Sequence, residues 1–200
     1  MVSTARGVYA PLVGIFLLFT GCAPLLPAPS SWTCESLNSL ALGSRIVVGA
    51  PPASSFQLTT MDIGATPFTW SSGIVTSSGF ATIQNGGRAG GSGSEIAVNN
   101  LLISVSVGIG QTLEAVRVSF GEYGGNLNLS INNQFVNFGD FSQAHGKTIG
   151  GVRVNVLSGG LGNDKGQIEF IGHMTDQASG LGQLAVGGQE LWIDDICFSK

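Results

Sequence analysis

Apolar and polar residues alternate with a period of two along most of this chain, and that alternation predicts strands. Leu101, Ile103, Val105, Val107 and Ile109 alternate with Leu102, Ser104, Ser106, Gly108 and Gly110, the pattern of a half-buried strand. Val116, Val118 and Phe120 repeat it against Ala115, Arg117 and Ser119. Leu127, Leu129 and Ile131 do so against Asn126, Asn128, Ser130 and Asn132, and Val152, Val154 and Val156 against Arg153 and Asn155. Shorter candidates are Arg45–Val48, Phe56–Thr60, Gly79–Gln84, Phe135–Phe138, Gln167–Ile171 and Leu191–Phe198. Turn residues separate them: Asn85-Gly86-Gly87, Gly121 to Gly125, Asn132-Asn133, Gly159 to Gly166 and Gly187-Gly188. No segment offers three turns of amphipathic helix, and no tandem repeat suggests a propeller or solenoid. Many short strands with frequent turns predict an all-β domain over 34–200, an antiparallel jelly-roll β-sandwich.

The N-terminus departs from this pattern. Pro11 to Phe19 is an apolar run behind Arg6, about half the ~20 residues a membrane span needs, and reads as a signal peptide over 1–21. The sequence Thr20-Gly21-Cys22 is similar to a bacterial lipobox, which implies that Cys22 becomes the lipidated N-terminus, carrying palmitate-type acyl chains. Phe19 stands where that motif has an aliphatic residue, so secretion with cleavage nearer Ala28 is the alternative. No Asp follows Cys22, which points to the outer membrane of the cell envelope, with residues 22–33 as a Pro-rich tether.

Composition narrows the function classes. Hydrophobic residues make up 43% and charged residues 10%, too apolar a mixture for disorder. The net charge is −4 and no block of Lys or Arg occurs, which argues against a nucleic-acid partner. With Cys22 assigned to the lipid, Cys34 and Cys197 remain, and in an oxidising compartment they are expected to pair. Without Cys-x-x-Cys spacing, that bridge reads as a staple between first and last strands rather than a redox centre.

The C-terminal segment concentrates the chemistry. In a regular strand Trp192, Asp194, Ile196 and Phe198 share one face, and Leu191, Ile193, Asp195 and Cys197 the other. Trp192 is therefore read as core, and each face mixes apolar residues with one carboxylate. A buried carboxylate requires backbone N–H groups, an Arg or a cation. The run Ile193-Asp194-Asp195-Ile196 resembles the last strand of galactose-binding-like jelly rolls and carbohydrate-binding modules. That resemblance implies a structural Ca²⁺ held by Asp194 or Asp195 with Glu35, which the expected disulfide brings near; carbonyls would complete the shell. The competing reading has these carboxylates capping backbone N–H groups. More widely, Gly90 to Glu95, Asn99-Asn100, Phe120 to Asn126, Ile149 to Val152 and the terminal motif resemble an uncharacterised family of exported bacterial lipoproteins, which implies location and fold but no activity.

Other motifs are weaker. Gly159 to Gly166 approaches a calcium-binding β-roll nonapeptide in a single copy and reads as a hairpin turn. Gly86 to Gly93 lacks the context of a phosphate loop and reads as a mobile loop, a candidate site rim. His145 and His173 have no metal-type spacing, and no nucleophile elbow is present. Glu122 and Glu169 are the acidic candidates for glycoside hydrolysis, which needs two carboxylates across a cleft. Asn126, Asn128 and Arg153 offer groups for sugar hydroxyls, and Tyr123, Trp70 and Trp192 flat platforms for pyranose rings, with the core reading preferred for Trp192. Phe135, Phe138 and Phe141 read as core or a loop plug. The expected function is non-catalytic binding of a glycan or surface polymer through Tyr123, Asn126, Asn128 and Arg153. The alternatives are a structural envelope protein docking a protein partner and a glycoside-acting enzyme.

Overall fold

The computed structural model describes residues 29, 31–49, 55–58, 61–91, 93–106, 112–172 and 180–200, with backbone alone at 55–57. In chain order the strands are β1 (Thr33–Glu35), β2 (Arg45–Val47), β3 (Ser55–Gln57), β4 (Asp62–Thr69), β5 (Val75–Thr76), β6 (Phe80–Asn85), β7 (Ser94–Asn99) and β8 (Leu101–Ser106). They continue with β9 (Ala115–Glu122), β10 (Leu127–Ile131), β11 (Gln134–Phe138), β12 (Thr148–Ile149), β13 (Val152–Ser158), β14 (Asp164–Gly172), β15 (Leu184–Gly188) and β16 (Leu191–Ser199). Two short 3₁₀ turns, Leu37–Ser39 and Phe141–Ala144, are the helical elements among the described residues.

Pairing is nested. β10 pairs with β11, β9 with β14, β8 with β15 and β7 with β16, all antiparallel, as in one long hairpin folded over. Rolled up, these eight strands alternate between sheets, giving β7-β16-β9-β14 in one and β8-β15-β10-β11 in the other. The domain is thus a jelly-roll β-sandwich. The first sheet extends to nine strands through β12, β13, β6, β2 and β1, and the second to seven through β4, β3 and β5. Asn132 and Asn133, both at positive φ, close the β10–β11 hairpin as a two-residue loop of the type that demands such residues.

The core lies between the sheets. Ile96 and Val98, Val116, Val118 and Phe120, and Val154, Ile168 and Phe170 face inward from the nine-stranded sheet. Leu101, Ile103, Val105, Leu127, Leu129 and Ile131 meet them from the other. A second apolar cluster covers the outside of the seven-stranded sheet: Leu102 and Ala185 pack beneath Phe68, with Trp70 edge-on to Phe68 at 5.2 Å between centroids. Leu102, expected on a polar face, is buried there because the β4–β5 hairpin folds back over it.

The last strand is where a regular alternation fails. Asp194 pairs with Ser119 and Ile196 with the next residue, Val118, so Asp195 is an extra residue in the ladder, a β-bulge, at φ +45°. Asp tolerates that left-handed conformation because its short side chain bonds locally, and here Asp195 N–H donates to Asp194 Oδ1 at 2.8 Å. The bulge resets the phase: Leu191, Ile193, Ile196 and Phe198 all enter the core. Trp192, Asp194 and Cys197 lie on the outer face, so Trp192 is not a core residue.

Several other expectations are corrected. Gly187 and Gly188 are not a turn but part of β15, where a Cβ on Gly187 would sit 2.1 Å from the Leu101 carbonyl oxygen. β4, β7 and β15 lack clear alternation in the sequence yet are central. Phe138 and Phe141 are core, whereas Phe135 is 44% exposed. The expected signal peptide, Cys22, most of the expected tether, Val107, Ile109 and His173 lie outside the described residues. No described helix is long and apolar enough to cross a membrane.

Cys34 and Cys197 form a disulfide between directly opposed residues of β1 and β16. It joins positions 163 residues apart, a loop for which chain entropy gives an upper figure of about 5 kcal/mol. Replacing both cysteines with serine is expected to lower stability by several kcal/mol, read as a fall in the denaturation midpoint; an unchanged midpoint would contradict this.

Candidate functional site

The outer face of the nine-stranded sheet carries a row of opposed residues crossing several strands. Trp192 on β16 opposes Ala97 on β7, Ala97 opposes Thr82 on β6, and Thr82 opposes Arg45 on β2. Alternation places Phe80, Thr82 and Gln84 outward from β6 because Ala81 and Ile83 fill the core. Likewise Ala97 and Asn99 face outward between the buried Ile96 and Val98. Small side chains at Ala97 and Thr82 leave a trough between the larger Trp192 and Phe80. The result is a groove of about 340 Å³ lined by Phe80, Thr82, Gln84, Arg88, Asn99, Glu190 and Trp192, among others.

Aromatic contacts organise this groove. Tyr123 meets Trp192 edge to face at 5.2 Å between centroids. Arg88 holds its guanidinium 4.4 Å from the Trp192 ring centre and 5.6 Å from that of Tyr123. Arg45 stacks over Phe80 at 4.1 Å. Each such contact contributes roughly 0.5–1 kcal/mol at an exposed site. The Trp192 Nε1 is buried without a hydrogen-bond partner.

The Gly-rich loop between β6 and β7 forms one wall. Glu95, 1% exposed, draws it down by accepting from the N–H groups of Gly87 and Ala89 at 3.2 and 3.0 Å, and from Gln84 Nε2 at 3.4 Å. The loop then crosses β9, where the Arg88 carbonyl oxygen lies 2.1 Å from the position of a Cβ on Gly121. Farther along, Gly91 sits against the Asp194 carboxylate, again closer than a Cβ would permit. On the loop's other side a separate cavity of about 220 Å³ is lined by Gly90, Ser119, Lys165 and Gln167, among others.

Asp194 lies beneath this loop and is 2% exposed. Burial pushes its carboxyl up from 3.8 to about 6, against the Asp195 N–H that favours ionisation and with Asp195 and Glu95 adding repulsion. Glu35, by contrast, is opposed to Ile196 across β1 and β16, and Ile196 faces the core. The register therefore does not place Glu35 on the outer face with Asp194. Among the described residues no group of three His, Cys, Asp or Glu side chains is arranged to hold a metal.

The four expected ligand residues are dispersed. Tyr123 borders the groove through its contact with Trp192. Asn128, 0% exposed, belongs to the opposite sheet and pairs with the backbone of Thr69: its Oδ1 accepts from the N–H at 2.8 Å and its Nδ2 donates to the carbonyl at 2.9 Å. Asn126 Oδ1 accepts from Ser71 N–H and from Asn137 Nδ2, so both amides clamp the end of β4. Arg153 lies on β13, where its Nε donates to Asn155 Oδ1 at 3.2 Å. The groove residues Phe80, Gln84, Asn99 and Glu190 were not among the expected ligand residues, whereas Arg88 lies in the Gly86 to Gly93 loop expected as a candidate site rim. Only the β6 alternation hinted at the first two; the others come together through pairing of distant strands.

Glu122 and Glu169 are not a facing pair. Glu169 opposes Arg117 in the β9–β14 ladder, and Glu122 lies five residues farther along β9, about 17 Å at strand spacing and with opposite alternation. Glu169 forms a 2.7 Å ion pair with Arg117. Glu122 turns inward at the sheet end and accepts from Phe141 N–H at 3.0 Å. Burial raises its carboxyl from 4.5 to about 7; the Phe141 and Gly162 N–H groups oppose the shift, and Asp140 and Asp164 add to it.

Compared with protein-family models, curated proteins and solved structures, the chain shows no match.

Gly121→Ala is expected to force the loop off β9 and deform the groove, with a stability cost of about 1–3 kcal/mol. Retention of the wild-type denaturation midpoint would contradict the close approach. Glu122 generates a pH effect of definite sign. Between about 4.5 and 7 the folded state retains a proton that the unfolded chain has released. Its contribution is full below about 4.5 and lost as pH rises through about 7. Relative to wild type, Glu122→Gln should therefore gain stability as pH rises through that window, as measured by denaturant titration at several pH values; a pH-independent difference would contradict it.

Proposed function

We propose that this chain is a non-catalytic glycan-binding protein of the cell envelope and that it binds through the groove at Trp192. The observation that carries the reading is a large aromatic side chain placed on the outer face of a jelly-roll sheet, beside an open trough bordered by amide, hydroxyl and carboxylate groups. Saccharides bind through this combination: an aromatic surface meets the C–H face of the ring, while convergent polar groups meet its hydroxyls. Gln84 and Asn99 provide both donors and acceptors, and Glu190 an acceptor. The leader, the lipobox-like Cys22 and the disulfide favour a position outside the cytoplasm.

A groove built on strands needs little reorganisation before binding. The Tyr123–Trp192 contact and the Glu95-tethered loop hold its walls. The ordering cost that weakens many saccharide complexes is correspondingly reduced.

Trp192→Ala is expected to abolish glycan binding on an oligosaccharide array while costing only about 1–2 kcal/mol of stability, since this ring is half-buried rather than core. Wild-type binding by a folded Trp192→Ala protein would overturn the assignment of the groove.

A further inference from the structure

Arg88 lines the groove and Arg45 lies over the ring of its lining residue Phe80, and this arrangement bears on which saccharides it accepts. Resting on the glycan-binding reading above, we propose that the ligand is an acidic saccharide whose uronate carboxylates are contacted by Arg88 and Arg45.

Cations are scarce in this chain, 8 Lys and Arg against 12 Asp and Glu, yet they are concentrated on this face. Arg45, Arg117, Arg153 and Lys165 project from the outer side of the nine-stranded sheet, and Arg88 overhangs it from the loop. Arg117 is paired with Glu169. Arg88 and Arg45 are exposed and make no ion pair there. Each instead lies over an aromatic ring. Stacking fixes a guanidinium plane while leaving its N–H edge free, which is the fork that matches a carboxylate bidentately.

The row of opposed residues sets the spacing. From Trp192, beneath Arg88, to Arg45 is three strand-to-strand steps, about 14 Å between backbones. The two cations are therefore placed for different residues of one oligosaccharide rather than for a single carboxylate. Arg88 and Glu190 are the charged residues of the lining, and Arg45, over the lining residue Phe80, adds a second guanidinium beside them. Glu95 and Asp194, on the same outer face, are buried and already accept from backbone N–H groups. A neutral glycan would leave both guanidinium edges without a charged acceptor; a uronate oligomer would satisfy them.

The test is calorimetric titration of the full chain with oligomers of galacturonate, mannuronate and glucuronate, and with their neutral galactose, mannose and glucose counterparts. The expected result is binding of at least one uronate oligomer about tenfold or more above its neutral counterpart, weakening with added salt. Arg88→Gln and Arg45→Gln should each reduce that affinity by about tenfold, the loss of a charge-assisted contact. Lys165→Gln, in the separate cavity, should leave it unchanged. Retained thermal midpoints establish that the variants are folded. Neutral oligomers bound as tightly, or uronate binding indifferent to both arginine variants, would overturn the acidic specificity while leaving the glycan site in place. No binding by any oligomer would overturn both readings. Tighter binding of a single-stranded oligonucleotide than of every uronate would overturn this proposal in favour of general polyanion attraction.

Discussion

One extra residue in the last strand governs much of this molecule. β16 lies between β9 and β7 in the middle of the nine-stranded sheet, with β1 continuing beside β7 along the same edge. Its side chains must therefore match the core along its full length. Without the Asp195 bulge, a strand inward at Leu191 and Ile193 would point Ile196 and Phe198 toward solvent and place two carboxylates on opposite faces. A shift of one residue inverts every subsequent side chain. The bulge removes that conflict at the cost of one left-handed Asp, and keeps both halves of the strand apolar inward.

The outer face follows from the same constraint. Once Leu191 and Ile193 are inward, Trp192 must be outward, and the pairing of β16 with β7 and β6 sets Ala97 and Thr82 beside it. The Gly-rich loop lies against β9 and β16 because Gly121 and Gly91 present no Cβ to stop it, and because Glu95 holds its N–H groups. Groove, loop and buried Asp194 are thus consequences of one strand's phase together with two close backbone approaches.

The two sheets use polar residues differently. On the seven-stranded sheet, Asn126 and Asn128 bond the backbone around Thr69 and Ser71, extending the ladder where the β4–β5 hairpin leaves it. Asn132 similarly accepts from Gly182 and Gln183 N–H and donates to Gly150 and Gly180 carbonyls. On the nine-stranded sheet, polar side chains instead border open space. A run of amides thus looks equally suited to ligand or backbone until the neighbouring strand is known, because either can supply the same donors and acceptors.

What the sequence by itself determined was the all-β class, most strand positions, the jelly roll and the Cys34–Cys197 pairing. Period-two alternation and turn residues are local properties, and two cysteines expected in one oxidised domain leave one partner each. The strands it did not reveal, β4, β7 and β15, owe their conformation to neighbours on both sides rather than to their own alternation. Only the tertiary structure decided which face each part of β16 presents, because a bulge is selected by core packing and carries no strong local signal. It also decided that Asn126 and Asn128 clamp backbone while Arg88, Gln84 and Asn99 meet Trp192. Those residues come from three different strands and a loop, and nested pairing of segments about a hundred residues apart in sequence brings them together.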